Sequence, residues 1–228
     1  LTVNATWTDI TCYDDGDGTA TALASGGTAP YTYIWSNGAQ SQTLGTGVPS
    51  TISFLQSGIY SCTVVDDSSC PAVTSNTVTV NEPDSVFGTS STTDVSCNGG
   101  GDGIATVSPT GGVGNYTFLW SPSGGSNSTA TNLSAGTYSC TITDGNNCSF
   151  VVTNIVVSEP TAVSGLFSTT DVSCNGFSDG SATVSPTGGV GNSILGNYTY
   201  SWSPSGGSNF TATNLSAGTY SCTITDGN

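Results

Sequence analysis

The sequence of 228 residues contains no lysine, no arginine and no histidine, although it carries fifteen acidic residues. Such a chain cannot present the positive surface that tracks phosphate groups, so nucleic-acid binding is excluded. Attraction to anionic lipid headgroups is excluded on the same ground. Catalysis by histidine, lysine or an arginine clamp is unavailable as well. Because side chains cannot form salt bridges with one another, any buried carboxylate must be neutralised by hydrogen bonds or by a cation.

The sequence also lacks an apolar run approaching the roughly 18 residues of a membrane span, so direct membrane insertion is not expected. No secretory signal segment is recognisable, which predicts a mature or internal segment. Helix-forming residues are scarce, whereas serine, threonine and glycine dominate. Hydrophobic residues occur in short alternating runs between Gly, Asn, Asp and Pro, and this pattern predicts an all-β chain.

One stretch of sequence occurs three times. Its clearest copy is residues 93–145, a near copy is residues 170–227, and a diverged copy is residues 8–66. Self-similarity at a fixed period predicts a tandem array of one small module, here stacked into an extended rod. A Glu-Pro pair ends two of the copies, since proline cannot continue a central strand ladder. We therefore predict three β-sandwich domains, called repeats 1, 2 and 3 below, at residues 1–83, 84–160 and 161–228.

The third repeat differs from the second in two places. It carries a five-residue insertion beside residues 193–197, which we expect at a loop tip. It also ends at Asn228, within the last hairpin turn and without a final strand. An open sheet edge is a poor natural ending. We therefore expect either a window cut from a longer repetitive chain or a final strand donated by a neighbouring subunit.

Alternating aromatic residues predict the core of each repeat. Tyr31, Tyr33 and Trp35 share one face of a strand, and the pattern recurs in both later repeats. The opposite face is polar in repeat 3, so core packing is favoured over a sugar-stacking platform. A later Gly-x-Tyr-x-Cys strand is similar to the tyrosine corner of immunoglobulin-like sandwiches. The predicted core residues are Trp35, Trp120, Trp202, Tyr60, Tyr138 and Tyr220.

Acidic residues cluster in a glycine-rich turn of repeat 1, at Asp14, Asp15 and Asp17. Hard cations prefer clustered carboxylate oxygens, so this turn is a candidate calcium site. The later repeats keep only Asp102 and Asp179 there, too few ligands without help from elsewhere. The alternative is an ordinary turn in which aspartate caps its own backbone. Carboxylates crowded into one turn cannot flank a glycoside, so no constellation supports an enzyme.

Taken together, the repeated sequence motifs resemble the SprB-type repeat of giant surface adhesins of Bacteroidetes. The words that match are Ser96-Cys-Asn-Gly99, Asp102-Gly103, Gly111-Gly112, Asn115-Tyr-Thr-Phe-Leu-Trp120-Ser, Leu133-Ser-Ala-Gly-Thr-Tyr138, and Thr143-Asp-Gly145 up to Cys148. The resemblance covers all three repeats. It implies a secreted, multi-repeat surface protein that serves adhesion or filament building, and a module similar to PKD or immunoglobulin-like sandwiches.

The cysteines allow two sets of disulfides. The resemblance implies Cys12–Cys70 and Cys97–Cys148. A sandwich that links an early strand to the Tyr-x-Cys strand across the core would instead give Cys12–Cys62, Cys97–Cys140 and Cys174–Cys222. An odd number of cysteines per repeat means that one is unpaired or is paired across repeats.

Three sites are candidates for glycosylation. Asn127 and Asn209 begin Asn-x-Ser/Thr sequons in predicted loops. Ser85 lies in an Asp-Ser-Val word that fits the O-glycosylation pattern of such bacteria, at a predicted linker.

These observations favour a non-enzymatic, acidic, extracellular stalk or fibre at the cell surface, whose partners are neighbouring repeats or copies of itself. One alternative is a calcium-dependent module that binds surface polysaccharide. Another is a short filament subunit that polymerises by strand donation.

Overall fold

The computed structural model describes residues 1–39, 42–68, 71–190 and 198–227. Among these residues there is no helix, and the strands form small antiparallel sheets. The predicted all-β, immunoglobulin-like class is therefore confirmed. The predicted insertion beside residues 193–197 lies outside the described residues.

The strands follow the three repeats in order. Repeat 1 contributes β1 (Thr2–Thr8), β2 (Gly18–Ser25), β3 (Tyr31–Trp35), β4 (Gln42–Leu44), β5 (Ser50–Leu55), β6 (Gly58–Tyr60), β7 (Cys62–Val65), β8 (Val73–Thr74) and β9 (Val78–Val80). Repeat 2 contributes β10 (Phe87–Thr93), β11 (Gly103–Thr110), β12 (Thr117–Ser121), β13 (Thr129–Leu133), β14 (Gly136–Thr143) and β15 (Ser149–Val157). Repeat 3 contributes β16 (Ser164–Thr170), β17 (Gly180–Thr187), β18 (Thr199–Ser203), β19 (Thr211–Leu215) and β20 (Ser221–Thr225).

The same pair of sheets recurs in each repeat. One sheet has the order β1-β2-β5, β10-β11-β13 or β16-β17-β19. The other has the order β4-β3-β7-β8, β12-β14-β15 or β18-β20, and repeat 1 adds a separate β6-β9 pair. The first sheet is built alike each time. Its central strands β2, β11 and β17 pair with β5, β13 and β19, and the register shifts between the first glycine of each central strand and the residue two positions later.

The core of repeat 1 lies between its sheets. Alanines from β2 and the aromatic face of β3 join aliphatic residues of β7 and β9 in one buried cluster. Tyr31, Tyr33 and Trp35 are each no more than 2% exposed. Ile34, one position away on the other face of β3, is 46% exposed, as a period of two requires.

Each repeat contains a tyrosine corner. The hydroxyls of Tyr60, Tyr138 and Tyr220 donate to the backbone carbonyl oxygen four residues upstream, at 2.9, 2.9 and 3.0 Å. This contact ties the chain before the corner to the strand after it, as in immunoglobulin-like sandwiches.

The Cα positions group into two compact units. Unit 1 is Leu1–Thr89, Ser108–Phe118 and Thr141–Val151, and unit 2 is Ser90–Val107, Leu119–Cys140 and Val152–Asn228. Unit 1 holds all of repeat 1 and loop ends of repeat 2, whereas unit 2 holds the rest of repeat 2 and repeat 3. The domain boundaries at residues 83 and 160, and the extended rod, stay predictions.

Candidate functional site

The acidic turn of each repeat is closed by one aspartate. The carboxylate of Asp17 accepts the backbone N–H of Thr11 at 2.8 Å. Asp102 and Asp179 each accept the N–H six residues upstream, both at 3.0 Å. Hydrogen bonds with Thr11 lower the pKa of Asp17, and its side chain contributes more than its backbone. The pKa values of Asp102 and Asp179 are lowered in the same way by the serine at the equivalent position.

The Glu-Pro segment that ends a repeat folds back onto this turn. Glu82 accepts the N–H of Asp14 at 2.6 Å, and Glu159 accepts the N–H of Gly99 at 2.6 Å. The residue before each glutamate is held by a second carboxylate. Asp9 and Asp94 accept the backbone N–H groups of residues 81 and 158 at 2.8 and 2.9 Å. The segment is thus held at two adjacent residues by charge-assisted hydrogen bonds.

The geometry of these turns favours the capping interpretation over a calcium site. Asp14 and Gly16 have positive φ, the conformation of a tight turn. In the part of the chain that the structure describes, no three His, Cys, Asp or Glu residues are arranged to hold a metal ion. Calcium binding therefore stays a prediction that no cluster of ligands supports among the described residues, both at Asp14, Asp15 and Asp17 and at Asp102 and Asp179.

An aspartate follows the Tyr-x-Cys strand in each repeat, within an Asp-Gly or Asp-Asp pair. In repeats 1 and 2 this aspartate is buried among backbone amides. Asp144 is 4% exposed and accepts the N–H groups of Val113, Asn146 and Cys148 at 2.8–2.9 Å. Its counterpart Asp66 is 6% exposed. Hydrogen bonds lower the pKa of Asp66, with the largest contribution from the Thr28 backbone and the next from the Ser68 side chain. The signal for Asp144 in the sequence is the recurrence of this aspartate in every repeat.

The disulfide joins two repeats, which corrects both pairing hypotheses. Cys12 is bonded to Cys148, with a Cα–Cα distance of 5.7 Å and a sequence separation of 136 residues. The expected Cys12–Cys70 and Cys97–Cys148 bonds are therefore wrong, and so is Cys12–Cys62. Beside the bond, the Asn146 amide donates to the Thr11 carbonyl at 2.9 Å. Cys70 itself lies outside the described residues.

The cross-core alternative fails because Cys12 lies in the acidic turn and not on an inward face of a strand. Cys62 is fully buried opposite Trp35 in the register of β3 and β7. Burial raises the pKa of its thiol to about 11. Burial likewise raises the pKa of the Cys140 and Cys222 thiols. Cys97 and Cys174 carry exposed thiols, so the expected Cys97–Cys140 and Cys174–Cys222 bonds are wrong as well.

The tryptophans of the aromatic faces are held by their indole nitrogens. Trp35 donates to Ser50 Oγ at 3.2 Å, and Trp120 donates to the carbonyl of Asn127 at 2.8 Å. Trp120 is 4% exposed and offers no stacking face for a sugar. Gly124, at φ +135°, passes over this ring, and a Cβ there would lie 2.8 Å from the Trp120 Cβ. Trp202 makes the same bond to Asn209 at 2.9 Å but is only half-buried.

The glycosylation candidates are accessible. Asn127, Asn209 and Ser85 are all exposed. The carbonyls of both asparagines hold tryptophans, so their backbone is fixed while the residue itself faces solvent. Modification of these three residues stays a prediction.

Some large apolar side chains lie at the surface. Trp7 is 48% exposed, and Phe87 lies against Phe150 with ring centroids 5.1 Å apart. Among the described residues, none forms a helix that is long and apolar enough to cross a membrane.

These features define a class: an all-β protein built from small immunoglobulin-like repeats that are clamped at their linkers. Solved structures to which this chain is similar include the three N-terminal domains of the bacteriophage RB49 outer capsid protein Hoc. That likeness has 16% identity, covers 88% of this chain and 74% of the three-domain chain, and has a TM-score of 0.48. A second is a C-terminal intimin fragment solved with the intimin-binding domain of its receptor, at 13% identity, 72% and 66% coverage and a TM-score of 0.38. A search of curated proteins found no match.

The family is shown by the sequence. The SprB repeat matches three times, at residues 4–40, 89–125 and 166–207, which together make up just over half of the chain. The chain belongs to the SprB repeat family, as the resemblance implied, and is a repeat region of a surface protein.

Proposed function

We propose that this chain is a structural segment of a long extracellular adhesin or filament, in which it acts as a stalk and not as a catalyst. The observation that carries the proposal is the way in which repeats are fastened. The covalent bond between Cys12 and Cys148 runs from the acidic turn of one repeat to the last hairpin of the next. A bond there resists separation of the two repeats under load, which is what a stalk requires.

The linkers support the same function. Glu82 and Glu159 each hold the turn of the repeat that they end. These contacts shorten the free linker, and repeat proteins whose units contact only their neighbours gain stiffness from such interfaces. The strongly negative surface keeps neighbouring stalks apart by repulsion.

The proposal is tested on the native protein. Antibodies raised against repeat 2 should label the outside of intact cells and decorate fibres at a regular spacing in electron micrographs. The native chain should have a mass far above 22.7 kDa. A native product of about that mass, found within fibres, would instead favour the short filament subunit. Calcium-dependent binding of one isolated repeat to a glycan array would favour the carbohydrate-binding alternative.

A further inference from the structure

Cys148 lies at the end of a short loop that one buried side chain holds in shape. This segment, residues 144–148, is called the docking loop below. The carboxylate of Asp144, only 4% exposed, accepts the backbone N–H groups of Asn146 and Cys148, both at 2.9 Å. The backbone N–H of Asp144 donates to the Cys148 carbonyl oxygen, also at 2.9 Å. Both backbone polar groups of Cys148 are therefore fixed by the same aspartate.

The same carboxylate fixes the docking loop to the body of repeat 2. Its other oxygen accepts the N–H of Val113 at 2.8 Å, and the N–H of Gly145 donates to the Val113 carbonyl at 2.9 Å. The fit is close, because a Cβ on Gly112 would lie 2.5 Å from Asp144 Oδ2. Asp144 thus sets both the shape of the docking loop and its position on the repeat.

The docking loop contacts the turn of Cys12 through groups other than the disulfide. The Asn146 side-chain amide donates to the Thr11 carbonyl oxygen at 2.9 Å, and Cys148 Sγ lies 3.5 Å from the same oxygen. Thr11 is itself held, because its N–H donates to Asp17 at 2.8 Å. All of these residues belong to unit 1. Each cysteine therefore lies beside backbone that an aspartate fixes, and a neutral hydrogen bond joins the two sides.

Accessibility alone does not select Cys12 as the partner of Cys148. Cys62 and Cys140 are buried and are excluded, but Cys97 and Cys174 carry exposed thiols that compete for any oxidised cysteine. A single partner is selected when contacts that exist before the bond raise its local concentration above that of the competitors. The hydrogen bond from Asn146 to Thr11 is such a contact.

We propose that Asp144 is a positioning residue for the bond between repeats, and that the docking loop binds the Cys12 turn before either cysteine is oxidised. The partner of the docking loop is the turn of the preceding repeat, which it recognises by the Thr11 carbonyl. Asp144 acts through Cys148, whose backbone it orients. The inference concerns how the bond forms, so it does not depend on the adhesin or filament role.

The covalent step is a thiol–disulfide exchange with a small-molecule disulfide such as oxidised glutathione. The Cys148 thiolate attacks one glutathione sulfur and releases one reduced glutathione. The Cys12 thiolate then attacks the Cys148 sulfur of the mixed disulfide and releases the second. Two protein thiols become one disulfide, and one oxidised glutathione becomes two reduced molecules. Docking favours the second attack, because it brings the two sulfurs together.

The test follows the reduced full chain in buffers of reduced and oxidised glutathione. Remaining thiols are trapped by alkylation, the chain is cleaved before aspartate, and mass spectrometry gives the fraction of fragment 9–13 that is linked to the Cys148 fragment. This fraction yields the equilibrium constant for the exchange. D144N removes the charge and replaces one acceptor oxygen by a donor. Because hydrogen bonds to charged groups are the strong ones, we expect the constant to fall at least about tenfold.

A matched variant and a second readout separate positioning from a general loss of stability. D66N removes the equivalent buried aspartate of repeat 1, which is 6% exposed and holds Thr28 beyond the far end of β2 from Cys12. It should leave the constant within about twofold, as distant sites do. Cys140, fully buried in β14, should stay protected from alkylation in reduced D144N, because repeat 2 remains folded.

The docking contact is tested without touching the aspartate. N146A removes the donor to Thr11 and should lower the constant about threefold to tenfold, the range for one neutral hydrogen bond. S149A is its control, because Ser149 is exposed on the other side of Cys148, and should change nothing. Equal effects of D144N and D66N, or an unchanged constant in N146A, would overturn the proposal. If D144N exposes Cys140, the comparison of N146A with S149A decides alone.

Discussion

The Cys12–Cys148 bond closes a sequence separation of 136 residues, so its removal should measurably destabilise unit 1. The chain-entropy relation for a loop of this length gives about 5 kcal/mol at 25 °C. That figure is an upper limit, because it counts the full loop only when both joined repeats unfold together. We expect a loss of about 2–4 kcal/mol for C12S, within the usual range for native disulfides. For modules of this size the melting temperature should fall by roughly 10 °C or more.

The assay is thermal unfolding by circular dichroism of the oxidised chain, the reduced chain and C12S. C174S is the matched control, because Cys174 is the equivalent cysteine of repeat 3 and its exposed thiol makes no disulfide. Its stability should stay within about 0.5 kcal/mol of the starting chain. Equal melting of the oxidised chain and C12S would contradict a structural role for the bond.

The connectivity can be mapped directly. Trypsin has no site in this chain, but cleavage before aspartate places each of the eight cysteines in a fragment of its own. The fragment 9–13 should be linked to 144–170 before reduction and not after it. Linkage of 9–13 to 67–83, which holds Cys70, would refute the bond between repeats.

Four further outcomes are expected. W35A should lose about 3–5 kcal/mol because its side chain is buried, whereas W7A, 48% exposed, should lose far less in the same urea titration. Y138F should lose about 1 kcal/mol with the hydrogen bond to Ser134, measured likewise. Hydrogen bonds lower the pKa of Asp66 in the folded state, so the stability that its carboxylate contributes is present above about pH 4 and is lost as the pH falls through the lowered pKa. The stability of D66N, measured by acid unfolding in 0.15 M salt, should therefore depend less on pH in that range. Melting curves in calcium and in EDTA should coincide, since no described carboxylates form a metal cluster; a shift of several degrees would restore the calcium hypothesis.

The fold could be predicted from the sequence because the signal is local. Alternation with a period of two distinguishes the inward Tyr33 from the outward Ile34 without any knowledge of the neighbouring strands. The tyrosine corner is local as well, since Tyr138 reaches a carbonyl only four residues away. Such short-range patterns repeat three times in this chain, so each repeat tests the interpretation of the others.

The disulfide could not be predicted because it depends on how one repeat follows another. Every cysteine of the acidic turn has a candidate partner within its own repeat, so the sequence favoured pairing inside each repeat. Only the odd number of cysteines in repeats 1 and 2, three in each, pointed to a bond across repeats. The exposed Cys97 and the bonded Cys12 occupy the same place in the repeated sequence.

The missing cationic side chains explain why aspartates mark the corners of this fold. A carboxylate buried without a partner would be strongly unfavourable, and no lysine or arginine exists to pair with it. Asp144 is therefore surrounded by three backbone amides, each of which would otherwise need its own acceptor at the turn. The amides neutralise the carboxylate and the carboxylate orders the loop. An acidic chain can in this way use its negative charge for local structure and still present a surface that repels its neighbours.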